Sequence, residues 1–355
     1  MPIRVFCVAG LLLGSIVIPH TIEPENQEWL FEKIESGGDF GIWTSISVDS
    51  RDVPHVSYSD TINGSLKYAH RERGKWIVET IDTSGIVGSW NAIALDSNDR
   101  PMVVYENIDP HELRYAKRED SYWRIETIHS GAVYRYMSIR VSQDDEANIA
   151  FYTEESNEIF YGNRTQGVWK LLRIGENSFG CSLSLDSLDF PHVSYLDSVD
   201  SSIAHTYYDG YTWKYQRIAT VFDWPVKTSI NVGPENEIHI VFADEGNLKH
   251  SITVDGNTSV EIVDRGVDPD ILRLSFSVDT GGHIHIAYVK RGRLTYAYFD
   301  GKSWEIENLV TSSRTAAVCL DSAGLPHIAF YRHERDFNYS SIGDLWYSSK
   351  RFQHE

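Results

Sequence analysis

The residues best placed to do chemistry in this 355-residue chain sit at one recurring position. An aspartate returns at Asp49, Asp96, Asp186, Asp279 and Asp321, and Ser142 and Gly233 stand in its place in two further copies. Six residues before it come Trp43, Trp90, Tyr136, Gly180, Lys227, Arg273 and Thr315, with Phe179 and Arg314 one step earlier in their copies. Eleven after it come Asp60, Asn107, Thr153, Asp197, Asp244, Lys290 and Arg332, with Glu106 and Glu154 adjacent. Aromatic plates beside charged groups are what sugar recognition requires. The C–H faces of a pyranose stack on an indole or phenol, and fixed donors and acceptors read its hydroxyls. On the basic side, arginine can hold a carboxylate through two parallel hydrogen bonds.

The same residues also supply an enzyme's parts. Hydrolysis of a glycosidic bond uses two carboxylates flanking it. Asp60, Glu106, Glu154, Asp197 and Asp244 are the available acids. A polysaccharide lyase would use a tyrosine or histidine base and a cation beside the uronate, roles open to Tyr134, Tyr136 and Arg135. Nothing in the spacing selects one pair, so a binding module is the first expectation and a glycoside hydrolase or lyase the alternative.

The elements that position these residues are repeats. Successive anchors lie about 42 to 47 residues apart, a period typical of propeller blades. Each copy has a small residue four before the anchor, from Ser45 to Ala317, and an aromatic nine after it, from Tyr58 to Phe330. A third strand follows, as in Leu66-Lys-Tyr68-Ala. A fourth opens with Trp76, Trp123, Trp169, Trp213 or Trp304. Short alternating strands separated by turn residues predict four antiparallel strands per copy, hence an all-β, seven-bladed β-propeller. The seventh copy ends after its third strand. Trp29-Leu-Phe-Glu-Lys-Ile34 matches Trp76-Ile-Val-Glu-Thr-Ile81, so residues 28–34 are expected to complete the last blade. In such a blade the loop entering strand one and the loop between strands two and three share a face, which places the candidate residues round the channel mouth.

Features repeated in every copy are expected to serve the blade. The aspartate should cap its own turn. His55, His192, His239, His285 and His327 share one strand position, which argues for packing or hydrogen bonding. No Cys/His spacing suggests zinc, and neither a metal nor a cofactor is expected.

The unit Asp-x-x-x-x-Pro-His-x-x-Tyr, then Leu-Lys-Tyr-Ala, then Gly-x-Trp resembles the repeats of exported prokaryotic propellers related to sialidases. Ser277-Val-Asp279-Thr-Gly281-Gly-His-Ile284 is similar to their Asp-box turn, with Ile284 where the box has an aromatic. The resemblance implies the fold and an exported protein. The arginine triad, Tyr/Glu pair and acid of a sialidase do not map onto this sequence.

A net charge of −19 and the lack of any Lys/Arg run exclude a nucleic-acid partner. Arg4 precedes an apolar run from Val5 to Ile18, short for a membrane span and suited to a signal peptide over 1–20. The mature domain would then be 21–355, secreted, periplasmic or at the cell surface; retention as an anchor is the alternative. Cys181 and Cys319 are expected to be free thiols. The insertion Tyr331–Asp344, rich in Arg, Tyr and Phe, suits a protein partner and supports a third reading as an interaction propeller. Asn63, Asn163, Asn257 and Asn338 begin glycosylation sequons.

Overall fold

The computed structural model describes residues 27–223, 227–268, 274–333 and 342–352. It is a ring of seven four-stranded antiparallel sheets, six of which pair their strands in chain order. Blades one to six span residues 40–82, 87–130, 134–175, 178–220, 228–265 and 275–311. The seventh takes three strands from 313–352 and its outermost from Gln27–Glu35, which pairs antiparallel with Gly343–Phe352. The expected closing strand is therefore present, one residue longer at each end. Among the described residues no helix is long and apolar enough to cross a membrane.

Burial follows position within the blade. Second strands such as Pro54–Asp60, Pro101–Asn107 and Ala147–Thr153 are buried along their whole length, because neighbouring blades cover both faces. Proline opens several of them, at the first residue of a strand, where the missing N–H costs the ladder least. Fourth strands such as Lys75–Asp82 carry exposed residues along most of their length, as the outer edge of a ring should.

Three belts of side-chain bonds join one blade to the next. The outer belt uses the fourth-strand tryptophans. Trp76, Trp123 and Trp169 donate Nε1–H to Glu32, Glu79 and Glu126 of the preceding blade at 3.2, 3.2 and 2.8 Å. Arg71, Arg118 and Arg164 hold the same three carboxylates. Each indole also meets a third-strand tyrosine of that blade edge-on, as Trp123 meets Tyr68 at 5.3 Å. The closing strand joins the belt on both sides. Its Trp29 reaches Glu307 at 2.9 Å and Tyr296 at 5.0 Å in blade six, while its Glu32 receives Trp76 of blade one.

The second belt lies at the aspartate turns. Each anchor accepts the amides two and four residues on; for Asp49 these are Arg51 and Val53, at 2.9 and 2.8 Å. The residue after the anchor then donates to the next blade: Ser50 to Asp99, Ser97 to Asp145, Gln143 to Asp189 and, across the closure, Ser322 to Asp52. The third belt is innermost. In three copies the serine four before the anchor accepts an amide from the adjoining first strand: Ser45 from Ile93, Ser182 from Ile230, Ser275 from Val318.

The recurring histidines lie inside the blades. His55, His285 and His327 bond the third-strand tyrosines Tyr68, Tyr296 and Tyr347 at 2.5–2.7 Å, and His192 bonds His205 at 3.0 Å. The opposite ring nitrogen of each faces the turn aspartate at 3.3–3.7 Å. Burial holds His55, His192 and His285 below the usual histidine value and pushes His205 down to about 3. The unfolded chain thus takes up protons that the folded chain refuses, so stability is lost as pH falls through the unfolded value. The unfolding midpoint is expected to drop between about pH 7 and about pH 4.5, starting near the unfolded histidine pKa of about 6.5. His205→Asn should make that drop shallower. A midpoint that is flat over this window would contradict the neutral, buried ladder.

Candidate functional site

The first strands of all seven blades converge on a central cavity of about 340 Å³. Trp43, Trp90 and Tyr136 line it from blades one to three. Their rings form one arc with Phe179 of blade four. Centroids are 4.0 Å apart between Trp43 and Trp90, 4.4 Å between Trp90 and Tyr136, and 4.9 Å between Tyr136 and Phe179. Tyr152 closes on Phe179 at 5.3 Å behind the arc. All four rings of the arc are only half-buried.

A repeated backbone irregularity aims these rings. Strand pairing slips between Ser89 and Ala92, between Arg135 and Ser138, and between Phe179 and Cys181. At each slip the residue six before the anchor has a left-handed backbone: Trp90 at φ 47°, Tyr136 at 50° and Gly180 at 59°. A bulge of this kind re-aims a side chain out of the pleat. Only glycine adopts that region without steric cost; Trp90 and Tyr136 bear roughly 1–2 kcal/mol each. Strain of this sort tends to be kept at functional sites.

The residue next in sequence pins the arc from the neighbouring blade. Asn91 donates to the carbonyl of Trp43 at 3.0 Å and Cys181 to that of Tyr136 at 2.9 Å. Burial pushes the Cys181 thiol far up, so it serves as a weak donor here rather than as a nucleophile. Cys181 and Cys319 are both free, and both line the cavity.

Of the basic candidates, Lys227 lines the cavity opposite the arc's first rings. Arg314 is exposed, at the pairing slip between Ser313 and Thr315, and is not part of the lining. Arg273 lies outside the described residues, as do signal segment 1–20, most of the Tyr331–Asp344 insertion and the Asn338 sequon.

The three candidate aspartates are not brought to the cavity. Asp60 is buried and accepts the amide and side chain of Asn63, closing its own loop. Asp244 is buried too. It binds the amides of Phe222 and Asp223, in the connection that follows blade four, and the Lys249 ammonium at 2.6 Å. Asp197 accepts the Val199 amide at 3.0 Å and the Tyr215 hydroxyl at 3.2 Å. Each therefore has its oxygens engaged in holding a loop.

Two residues near the arc stand out from the structure. Glu106 is almost wholly buried, and burial raises its carboxyl to about 7 against the Tyr134 amide that donates to it at 3.2 Å. Arg140 points into the cavity from the floor of the strand that carries Tyr136. Among the described residues no carboxylate lines the cavity. Among the described residues no group of three or more His, Cys, Asp or Glu side chains could hold a metal ion.

Neither a protein-family model nor a curated protein matches this chain. Solved β-propellers do. A catalytically inactive variant of virginiamycin B lyase from Staphylococcus aureus, bound to quinupristin, aligns with a TM-score of 0.62 at 13% identity, over 91% of this chain and 99% of that one. Aleuria aurantia lectin in complex with Fucα1-6GlcNAc aligns at 0.57 and 15% identity, over 78% and 98%. AofleA from Arthrobotrys oligospora aligns at 0.55 and 14%, over 80% and 90%. The Aleuria lectin is described as a six-bladed propeller, one blade fewer than this chain. At these identities the likeness establishes the propeller fold.

The left-handed bulge makes a simple demand. Tyr136→Gly should be more stable than Tyr136→Ala by about 1 kcal/mol, since only the alanine still bears the backbone cost. Chemical denaturation of the two variants measures it. Equal stabilities, or an advantage for alanine, would show that Tyr136 is not held in strain.

Proposed function

We propose that the protein is a carbohydrate-binding β-propeller whose ligand enters the channel mouth and lies against the arc of Trp43, Trp90, Tyr136 and Phe179. The observation that carries this reading is the arc itself: half-exposed rings, three of them lining a cavity, with Trp90 and Tyr136 held in left-handed backbone. The cavity volume of about 340 Å³ lies within the roughly 300–1,000 Å³ common for small-ligand sites. The polar part of the lining, from Ser47, Ser138, Ser229 and Asn231, offers hydrogen bonds to hydroxyls. That the structural neighbours include lectins crystallised with fucosides lends the reading support at the level of fold.

Binding rather than hydrolysis is favoured by the lining. A glycosidase places two carboxylates across the scissile bond, whereas Asp60, Asp197 and Asp244 are engaged in loops and, among the described residues, no acid lines the cavity. The Asp-box likeness of Ser277–Ile284 enters this proposal as a turn motif without a hydrolytic role. With the export signal read in 1–20, the ligand would be met outside the cytoplasm.

Titration against a panel of neutral and acidic oligosaccharides, followed by tryptophan fluorescence, tests the proposal. A ligand should perturb the emission of the stacked Trp43 and Trp90. Trp90→Ala should weaken binding about tenfold, the equivalent of about 1.4 kcal/mol, while the fold persists. If Trp90→Ala and Trp43→Ala leave every affinity unchanged, or no saccharide binds, the arc is a plug and the reading fails.

A further inference from the structure

Two rings of residues line the channel below the arc. Four positions before the turn aspartate stand Ser45, Ala92, Ser138, Ser182, Ser229, Ser275 and Ala317; two before it stand Ser47, Ala94, Arg140, Ser184, Asn231, Ser277 and Cys319. Thirteen of these fourteen residues are small or uncharged, as convergence of seven strands on one axis demands. Arg140 is the exception. Since a blade is built equally well with serine, alanine or cysteine there, the arginine does not serve the blade.

Its surroundings leave its charge unmatched. The Arg140 side chain lines the cavity, and Nη1 donates to the Ile139 carbonyl at 2.9 Å. A guanidinium has five such donors. Other buried or half-buried arginines of this chain sit against carboxylates, as Arg114 does with Asp82 and Glu112, Arg164 with Glu126 and Arg100 with Asp96. Those pairings raise their pKa values. Arg140 has no ion pair among the described residues, and burial pushes it down to about 10. Arg140 is half-buried, and a cation partly withdrawn from water without an opposite charge bears a desolvation cost. Yet the chain carries a net charge of −19, and among the described residues none of its acids lines the cavity. Around Arg140 the lining presents hydroxyls, from Ser47, Ser138 and Ser229, and the cation of Lys227 nearer the mouth.

We propose that Arg140 binds the carboxylate of an acidic saccharide, whose sugar ring lies against the aromatic arc and whose acid group points down the channel. This rests on the carbohydrate-binding reading and deepens it by naming the ligand class. A planar guanidinium pairs with a carboxylate through two parallel bonds, which serine hydroxyls can supplement. Four residues of strand, roughly 13 Å at 3.3 Å per residue, separate Tyr136 from Arg140. The arginine side chain spans about half of that length, leaving depth for roughly one sugar ring between arc and cation.

The test compares wild type, Arg140→Gln, Arg140→Lys and Trp90→Ala by calorimetry and thermal shift at constant ionic strength. The ligands are sodium sulfate, sodium glucuronate, a glucuronate-bearing oligosaccharide and its neutral counterpart. The acidic oligosaccharide should bind wild type at least tenfold more tightly than the neutral one. Arg140→Gln should erase that preference, and Arg140→Lys, which keeps the charge without the fork, should retain part of it. Without ligand, Arg140→Gln should be no less stable than wild type, because it removes an unmatched charge. Trp90→Ala should weaken both oligosaccharides while glucuronate still raises the midpoint of that variant. If acidic and neutral saccharides bind alike, and both need Trp90, carbohydrate binding stands and the role of Arg140 is refuted. If sulfate and glucuronate respond to Arg140 but no saccharide exceeds them, the channel is a small-anion site only and the acidic-sugar assignment is overturned.

Discussion

Ring closure is the constraint on which everything else depends. The last blade is completed only when the chain's two ends meet: its outer strand comes from residues 27–35, more than 300 residues from its partners in sequence. That strand is held by backbone pairing to Gly343–Phe352. Side chains also hold it on both flanks, Trp29 to Glu307 and Tyr296 on one side and Glu32 to Trp76 and Arg71 on the other. Without it Gly343–Phe352 would be a bare strand edge, and the bonds from Trp29 and Glu32 that tie blade seven to its neighbours would be lost.

The belts explain which residues are free to vary. Turn aspartates, their serine neighbours, fourth-strand tryptophans and inner serines all bond across or within blades, so their repetition reports construction. Two positions escape this demand. The position six before the aspartate tolerates Trp43, Trp90, Tyr136, Gly180 or Lys227, and the position two before it tolerates serine, alanine, asparagine, cysteine or arginine. Both face the channel, one at the mouth and one below it. Seven near-equivalent blades thus form a rigid frame around a lining that can be changed one residue at a time. This is the physical sense in which a fold can host a site without dictating it.

Much of this was legible in the sequence because it is periodic. The anchor spacing gives the blade count, and the match of Trp29–Ile34 to Trp76–Ile81 gives the closure, within one residue at each end. The histidine position reads as structural because five copies share it, and each of those five histidines makes a bond within its own blade. The aromatic arc follows from lining up the copies. The fate of the aspartates does not. Whether Asp244 faces a ligand or the amides of Phe222 and Asp223 depends on how a neighbouring loop folds, and no periodicity carries that. Nor does spacing foretell the left-handed bulges at Trp90 and Tyr136. Arg140 was within reach. Aligning the copies two residues before the anchor, rather than six before it, exposes one arginine among small neutral side chains.

The central claim is that the channel, from aromatic mouth to Arg140, is one ligand site. A crystal structure of the protein soaked with a glucuronate-bearing oligosaccharide tests it most directly. The expected result is density for a sugar ring against Trp43, Trp90 or Tyr136, with the carboxylate within hydrogen-bonding distance of the Arg140 guanidinium. An empty channel at saturating ligand, or density bound elsewhere on the ring, would contradict the account.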